Sequence, residues 1–233
     1  LLGAWIAYPA VLPNNGITNP LGYVLVLGLP ALVGYVLWAD ARPVLRSAFA
    51  NRFSRVVGVT AGVLTAVVVA FSAGTMTVNP DPGVNAPTEA FVQTFPVADP
   101  LVTWPAVEFF WPAIPLAGMV SVGTVLLFGL LGGLVGVNAA VVTDQWQSGR
   151  DLSLRGSLLG SVTTTGATAC CCCAPAMYGV VSALFGTAAT PVYWAFMDTT
   201  SPLSASFLAA SVLLLTASVI RAAGSRTPPN PSV

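Results

Sequence analysis

An all-α, polytopic transmembrane helix bundle is the fold class this sequence predicts, on three observations. The 233-residue chain is 55% hydrophobic and only 7% charged, with a mean hydropathy of +0.82, where soluble domains carry roughly a quarter charged residues. Five stretches without a charged side chain, residues 21–39, 56–75, 114–142, 156–187 and 203–220, are long enough to cross a hydrocarbon core of about 30 Å. Every basic residue is an arginine and falls in one of three short windows: Arg42, Arg46, Arg52 and Arg55; Arg150 and Arg155; Arg221 and Arg226.

Taken in order, the chain begins with residues 1–12 (LLGAWIAYPAVL), apolar but too short to span. They are expected to be a truncated or partial N-terminal span; no charged leader or small-residue cleavage site marks them as a cleaved signal peptide. Basic loops stay cytoplasmic, so the arginine windows orient the rest. Residues 14–20 lie outside, 21–39 runs inward, and the directions alternate until the tail 221–233 emerges in the cytoplasm. The expected location is the plasma membrane, multi-pass. The tail ends in GSRTPPNPSV, polar and proline-rich, and is expected to be disordered. The outer connection, residues 76–112, holds Asp81, Glu89, Asp99 and Glu108 and no basic residue. Its prolines at 80, 82, 87, 96, 100, 105 and 112 deny it a long helix. Trp104, Phe109, Phe110 and Trp111 are placed to anchor it at the outer membrane surface, as a lid or spacer or as a surface for a partner.

Between helices in lipid, close approach through small residues supplies much of the association. Gly58 with Gly62, Gly129 with Gly133, Gly132 with Gly136, and Gly156 with Gly160 are spaced one helical turn apart and are expected to pack the bundle against itself. Polar side chains inside the spans concentrate in residues 156–187, as Ser157, Ser161, Thr163, Thr164, Thr165 and Thr168, with Asn138 in the span before. None of these ionises. A proton or ion pump keeps an acidic or basic group at membrane depth, so the pattern argues against ion-coupled transport.

The composition excludes further classes. Histidine and lysine are both absent, which removes imidazole ligation of haem or copper, histidine proton relays and Schiff bases. Zero net charge without a basic face argues against nucleic acid as a partner. No nucleophile–base pair, carboxylate pair or phosphate-binding glycine loop is present, so catalysis within this chain is not expected. The all-arginine basic set and the Ala, Val and Gly content point to a GC-rich prokaryotic genome, archaeal or actinobacterial.

All four cysteines are consecutive: Cys170, Cys171, Cys172 and Cys173, followed by Ala174 and Pro175. Successive helical side chains are about 100° apart, so only Cys170 and Cys173 share a face and a tetrahedral four-thiolate site is geometrically poor. Two-coordinate soft ions such as Cu(I) or Hg(II) need only two thiolates. Pro175 has no N–H for the Cys171 carbonyl, so a helix break is expected there, and breaks at bilayer depth are where membrane proteins build binding sites. Small-residue packing around a kink, with cysteine as a small hydrophobe, is the reading the run favours over soft-metal chemistry, and a disulfide or a lipidated site are the further readings. The segment from Cys171 to Pro175, led in by Gly166, Ala167, Thr168 and Ala169, resembles the paired-cysteine first helix of mercuric ion transporters of the MerT and MerF type, with Ala174 in the place of their glycine. The resemblance implies that Cys171 and Cys172 form the thiol pair that takes the metal ion. It covers one helix; those proteins are shorter, carry the motif in their first helix, and pass the ion to further cysteines that have no counterpart here.

Three function classes remain. The first is a non-catalytic accessory or scaffold subunit of a larger membrane complex, such as a respiratory oxidase, favoured by the missing chemistry, the small-residue faces and the lack of a soluble domain. The second is a thiol-dependent soft-metal transporter or carrier, with the ion at Cys170–Cys173. The third is a small-solute channel along a broken fourth span. The expected partners are the lipid bilayer and other integral membrane subunits.

Overall fold

The structure, a computed structural model, describes residues 1–11, 19–78, 89–97, 100–114, 116–148 and 202–224. Helix α1 is Leu2–Val11, α2 Pro20–Asp40, α3 Arg42–Ala50, α4 Arg52–Ser72, α5 Val122–Gln147 and α6 Pro202–Gly224. Between α4 and α5 lie four strands, β1 Met76–Val78, β2 Phe91–Val97, β3 Trp104–Trp111 and β4 Leu116–Ser121. Among the described residues three helices are long and apolar enough to cross a membrane: Pro20–Asp40, Arg52–Phe71 and Val122–Gln147. In α6 the shorter stretch Leu208–Gly224 is apolar.

The helix starts are set by local chemistry. Asn19 caps α2 by accepting the Leu21 N–H at 3.0 Å, with Pro20 in the first turn where its missing N–H is harmless. Asn51 does the same for α4 through Phe53 N–H at 3.0 Å, which separates α4 from the short α3. Ser121 closes a capping box on α5: its Oγ accepts the Thr124 N–H at 3.1 Å and Thr124 Oγ1 accepts the Ser121 N–H at 2.9 Å.

The region between α4 and α5 corrects the all-α expectation. Residues 76–112 are not simply a loop lying on a surface but hold three strands of a four-stranded antiparallel sheet, in the order β1-β4-β3-β2. The expected span 114–142 is shortened at its start for the same reason, because residues 116–121 form β4 and the helix begins only after the Ser121 cap. The register absorbs two prolines on one rung, where Pro96 faces Pro105, so both missing N–H groups fall at the same place. At the other end of the chain, α6 runs on to Gly224, so residues 221–224 are helical rather than part of a tail. The span expected at 156–187, with Gly156 and Gly160, lies outside the described residues, as does residues 225–233 of the tail.

Helix α4 packs antiparallel on α5 through backbone. A Cβ at Gly58 would sit 2.8 Å from the Gly136 carbonyl oxygen, one at Gly62 2.8 Å from the Gly132 oxygen, and one at Gly132 or Gly136 2.6 Å from the Gly62 or Gly58 oxygen. Only glycine allows such an approach. Gly129 and Gly133 behave differently: they are exposed, with nothing within 4 Å of a built Cβ. The main core joins Trp5 and Tyr8 of α1, Leu25, Val26, Leu29 and Val33 of α2, Leu131, Leu134 and Val135 of α5, and Val212, Leu215 and Val219 of α6. A second cluster sets Val44 and Ala48 of α3 on Ala140 and Val141 of α5, with Ala222 and Ala223 of α6 beside them. Arg42, Arg46, Arg52, Arg55 and Arg221 therefore gather at one end of the bundle, and the sheet caps the other.

The glycine geometry predicts opposite signs for one conservative change. Gly132→Ala and Gly136→Ala should each lower stability by about 1–3 kcal/mol, since overpacking a fixed interface forces the helices apart. Gly129→Ala and Gly133→Ala should be neutral or stabilising by up to about 1 kcal/mol through helix propensity. Unfolding midpoints of the four variants in mild detergent check this, and four equal shifts would refute the contact.

Candidate functional site

A polar side chain inside an apolar helix must find a partner or bear a desolvation penalty, so the few that exist show where the bundle is specified. Asn138 is buried on α5, 3% exposed. Its Nδ2 donates to the Leu134 carbonyl one turn back at 2.8 Å and to the Leu215 carbonyl of α6 at 3.1 Å. The amide therefore ties α5 to α6. Ser54, Ser211 and Thr216 have buried hydroxyls with no hydrogen-bond partner.

Nearer the arginine end, Asp144 is 7% exposed although it sits within the long apolar helix α5. It continues the inward line of Leu134, Val137 and Val141, at steps of three and four residues. Ser47 of α3 donates its hydroxyl to Asp144 Oδ2 at 2.7 Å. Ser148 Oγ donates to the Asp144 backbone carbonyl at 2.7 Å, closing the last turn. Asn51 and Gln147 join their side-chain amides across the same seam. This polar row latches α3 onto the end of α5. No ionisable group is expected inside the uncharged spans; Asp144 lies two residues past the run 114–142, and its helical phase with Val141 is the signal that it turns inward.

The opposite end is held by aromatics. Trp104 is 6% exposed, packs edge-on against Tyr23 of α2 with centroids 4.9 Å apart, and donates Nε1–H to the Pro100 carbonyl at 3.1 Å. Tyr23 donates its hydroxyl to the Thr103 carbonyl at 2.6 Å. Val102 is fully buried against Gly22. To reach this seat the chain makes a tight turn in which Val102 N–H bonds the Pro100 carbonyl at 2.7 Å and Leu101 takes φ 60°, a conformation costing about 1–3 kcal/mol in a non-glycine residue. The buried Val102 and Trp104 on its far side offset that strain. Of the four aromatics expected at the membrane surface, Trp104 and Phe110 are thus buried, and Trp111 is exposed. Phe110 stacks on Phe91 across β2 and β3.

The residues on which sequence reasoning set a metal site, Cys170, Cys171, Cys172 and Cys173, lie outside the described residues, as does the expected helix break at Pro175. Among the described residues no three His, Cys, Asp or Glu side chains come together. What the described part defines is a helical, membrane-type bundle with an antiparallel sheet on one end and an arginine-bearing end opposite. The chain matches no known family model, no curated protein and no solved structure.

The latch predicts an asymmetry between neighbouring polar pairs. Ser47→Ala leaves the Asp144 carboxylate short of a donor and should cost about 1.5–3 kcal/mol, whereas Gln147→Ala, in the exposed pair with Asn51, should stay within about 0.5 kcal/mol. Thermal unfolding of the two variants in detergent separates them; equal losses would mean that Ser47 does not serve the buried carboxylate.

Proposed function

We propose that the chain is a non-catalytic accessory or scaffold subunit of a larger membrane complex, embedded in the plasma membrane as a multi-pass bundle with its arginine end cytoplasmic. The observation that carries this reading is the division of labour among its surfaces. Asn138, Asp144 and Ser47 are used to bind helix to helix, which is architecture and not a path for solute. Outward, Val24, Leu27 and Tyr35 of α2 and Val56, Val59, Val63 and Leu64 of α4 are exposed and apolar. On α5, Gly129 and Gly133 form a second small-residue pair that the described helices leave open, of the kind that admits a further helix at close range. A complex such as a respiratory oxidase supplies both lipid-facing and helix-facing neighbours of this sort.

Extraction from native membranes in mild detergent followed by sizing tests the proposal. The chain should migrate with other integral membrane polypeptides, and Gly133→Leu should reduce that association while leaving the unfolding midpoint of the isolated chain within about 0.5 kcal/mol of wild type. A lone, stable monomer from native membranes would overturn the assignment.

A second reading, a thiol-dependent carrier of Cu(I) or Hg(II), is favoured by the uninterrupted run Cys170–Cys173 ahead of Pro175. Two adjacent thiols meet the demand of a linear soft-metal site. Replacing all four cysteines with alanine should abolish stoichiometric Cu(I) or Hg(II) binding by the purified chain; unchanged stoichiometry would remove this reading.

A further inference from the structure

We infer that the arginine end of the bundle is a binding surface for anionic phospholipid headgroups, built from Arg42, Arg46, Arg52 and Arg55 on α3 and the first turn of α4. The inference rests on the membrane-embedded reading and not on the identity of any partner subunit.

Helix α3 connects two spans of opposite direction, so it lies where both end, at the membrane surface. Its Val44 and Ala48 are buried against α5, which turns Arg42 and Arg46, one helical turn apart, to the exposed side. Arg52 and Arg55 are exposed as well. They do not point away from lipid, because they top the face of α4 on which Val56, Val59 and Val63 open outward, each at least 55% exposed. A guanidinium at the end of a lipid-facing stripe extends into the headgroup layer. The aromatic neighbours mark the same level: Trp38 and Tyr35 of α2 are 58% and 71% exposed, and Arg42 lies over the Trp38 ring at 4.5 Å from its centroid. Cation–π contact on an interfacial tryptophan holds that guanidinium in place.

Charge supplies the selectivity. Among the described residues no carboxylate pairs with any of the four arginines; Asp40, exposed at the end of α2 and two residues before Arg42, offsets one of the four charges, and Asp144 is engaged by Ser47. The excess positive charge that four guanidinium groups leave within residues 42–55 needs anions, and at this depth the available anion is the lipid phosphate. Arginine binds phosphate through paired N–H groups in a planar fork, and zwitterionic headgroups offset that attraction with their own cation. The surface therefore prefers phosphatidylglycerol-type headgroups over phosphatidylcholine.

The test uses the full chain in non-ionic detergent and acyl-chain-labelled phosphatidylglycerol, followed by fluorescence anisotropy. Unlabelled phosphatidylglycerol should displace the probe and phosphatidylcholine should not; equal displacement by the two would overturn the inference. Free glycerol 3-phosphate should displace poorly, and displacement as effective as by the lipid would assign the site to a soluble anion instead. Changing all four arginines to glutamine should weaken binding about tenfold or more, with lysine at the same positions retaining most of it. If the glutamine variant does not fold, wild type decides: its affinity should fall steeply with added salt, and a flat salt response would sink the proposal.

Discussion

The contact that organises this molecule is the near-touching of two backbones, α4 and α5, at Gly58, Gly62, Gly132 and Gly136. Lipid tails are as apolar as leucine, so no hydrophobic gain pushes two such helices together. What remains is dispersion, which needs close approach, and the paired glycines bring carbonyl oxygens of one helix within reach of the α-carbons of the other. With that axis set, α2, α3 and α6 find their places on α5, and α1 packs on α6 and α2. Helix α6 is fixed to it by Asn138 and helix α3 by Asp144.

Both polar ties reach between helices, from the Asn138 amide to the Leu215 carbonyl and from the Ser47 hydroxyl to the Asp144 carboxylate. An amide that donates into carbonyls already engaged in helix ladders adds a directional bond, worth about 0.6 kcal/mol on average in membrane proteins. That is small against the packing of the core, yet it selects one rotation of α6 among several that would bury leucines equally well. Asp144 plays a comparable part for α3. Its burial near the end of the span rather than its middle keeps the cost of a carboxylate low.

Much of this was legible in the sequence, and the limits have physical causes. The uncharged runs at 21–39 and 56–75 match α2 and α4 closely, because length and hydropathy are what a bilayer selects. The pairs Gly58–Gly62 and Gly132–Gly136 were visible as spacings, but spacing could not separate them from Gly129–Gly133, which meets nothing; facing depends on how the helices rotate. The sheet was missed because seven prolines between residues 80 and 112 read as turns. Two of them, Pro96 and Pro105, share a single rung of the β2–β3 ladder, and a strand pair tolerates that where a lone strand pattern would not suggest it. The Ser121–Thr124 cap was a readable signal for where α5 begins, hidden inside an apolar run. For Cys170–Cys173 the sequence gives chemistry without placement.

The sheet and the helices are not independent units. Helix α5 starts at the residue where β4 ends, and the turn at Leu101 is held in a strained conformation by Val102 and Trp104 seated on α2 and α5. Gly22 and Gly123 leave the room for that seat: a Cβ at Gly22 would meet Val102, and one at Gly123 would meet Pro100 and Trp104. The strain is therefore stored at the junction, and it persists only while the helices present their glycines to the loop. A displacement of α2 against α5 would release Trp104 and relax Leu101 together, which couples the order of the sheet to the packing of the spans beneath it.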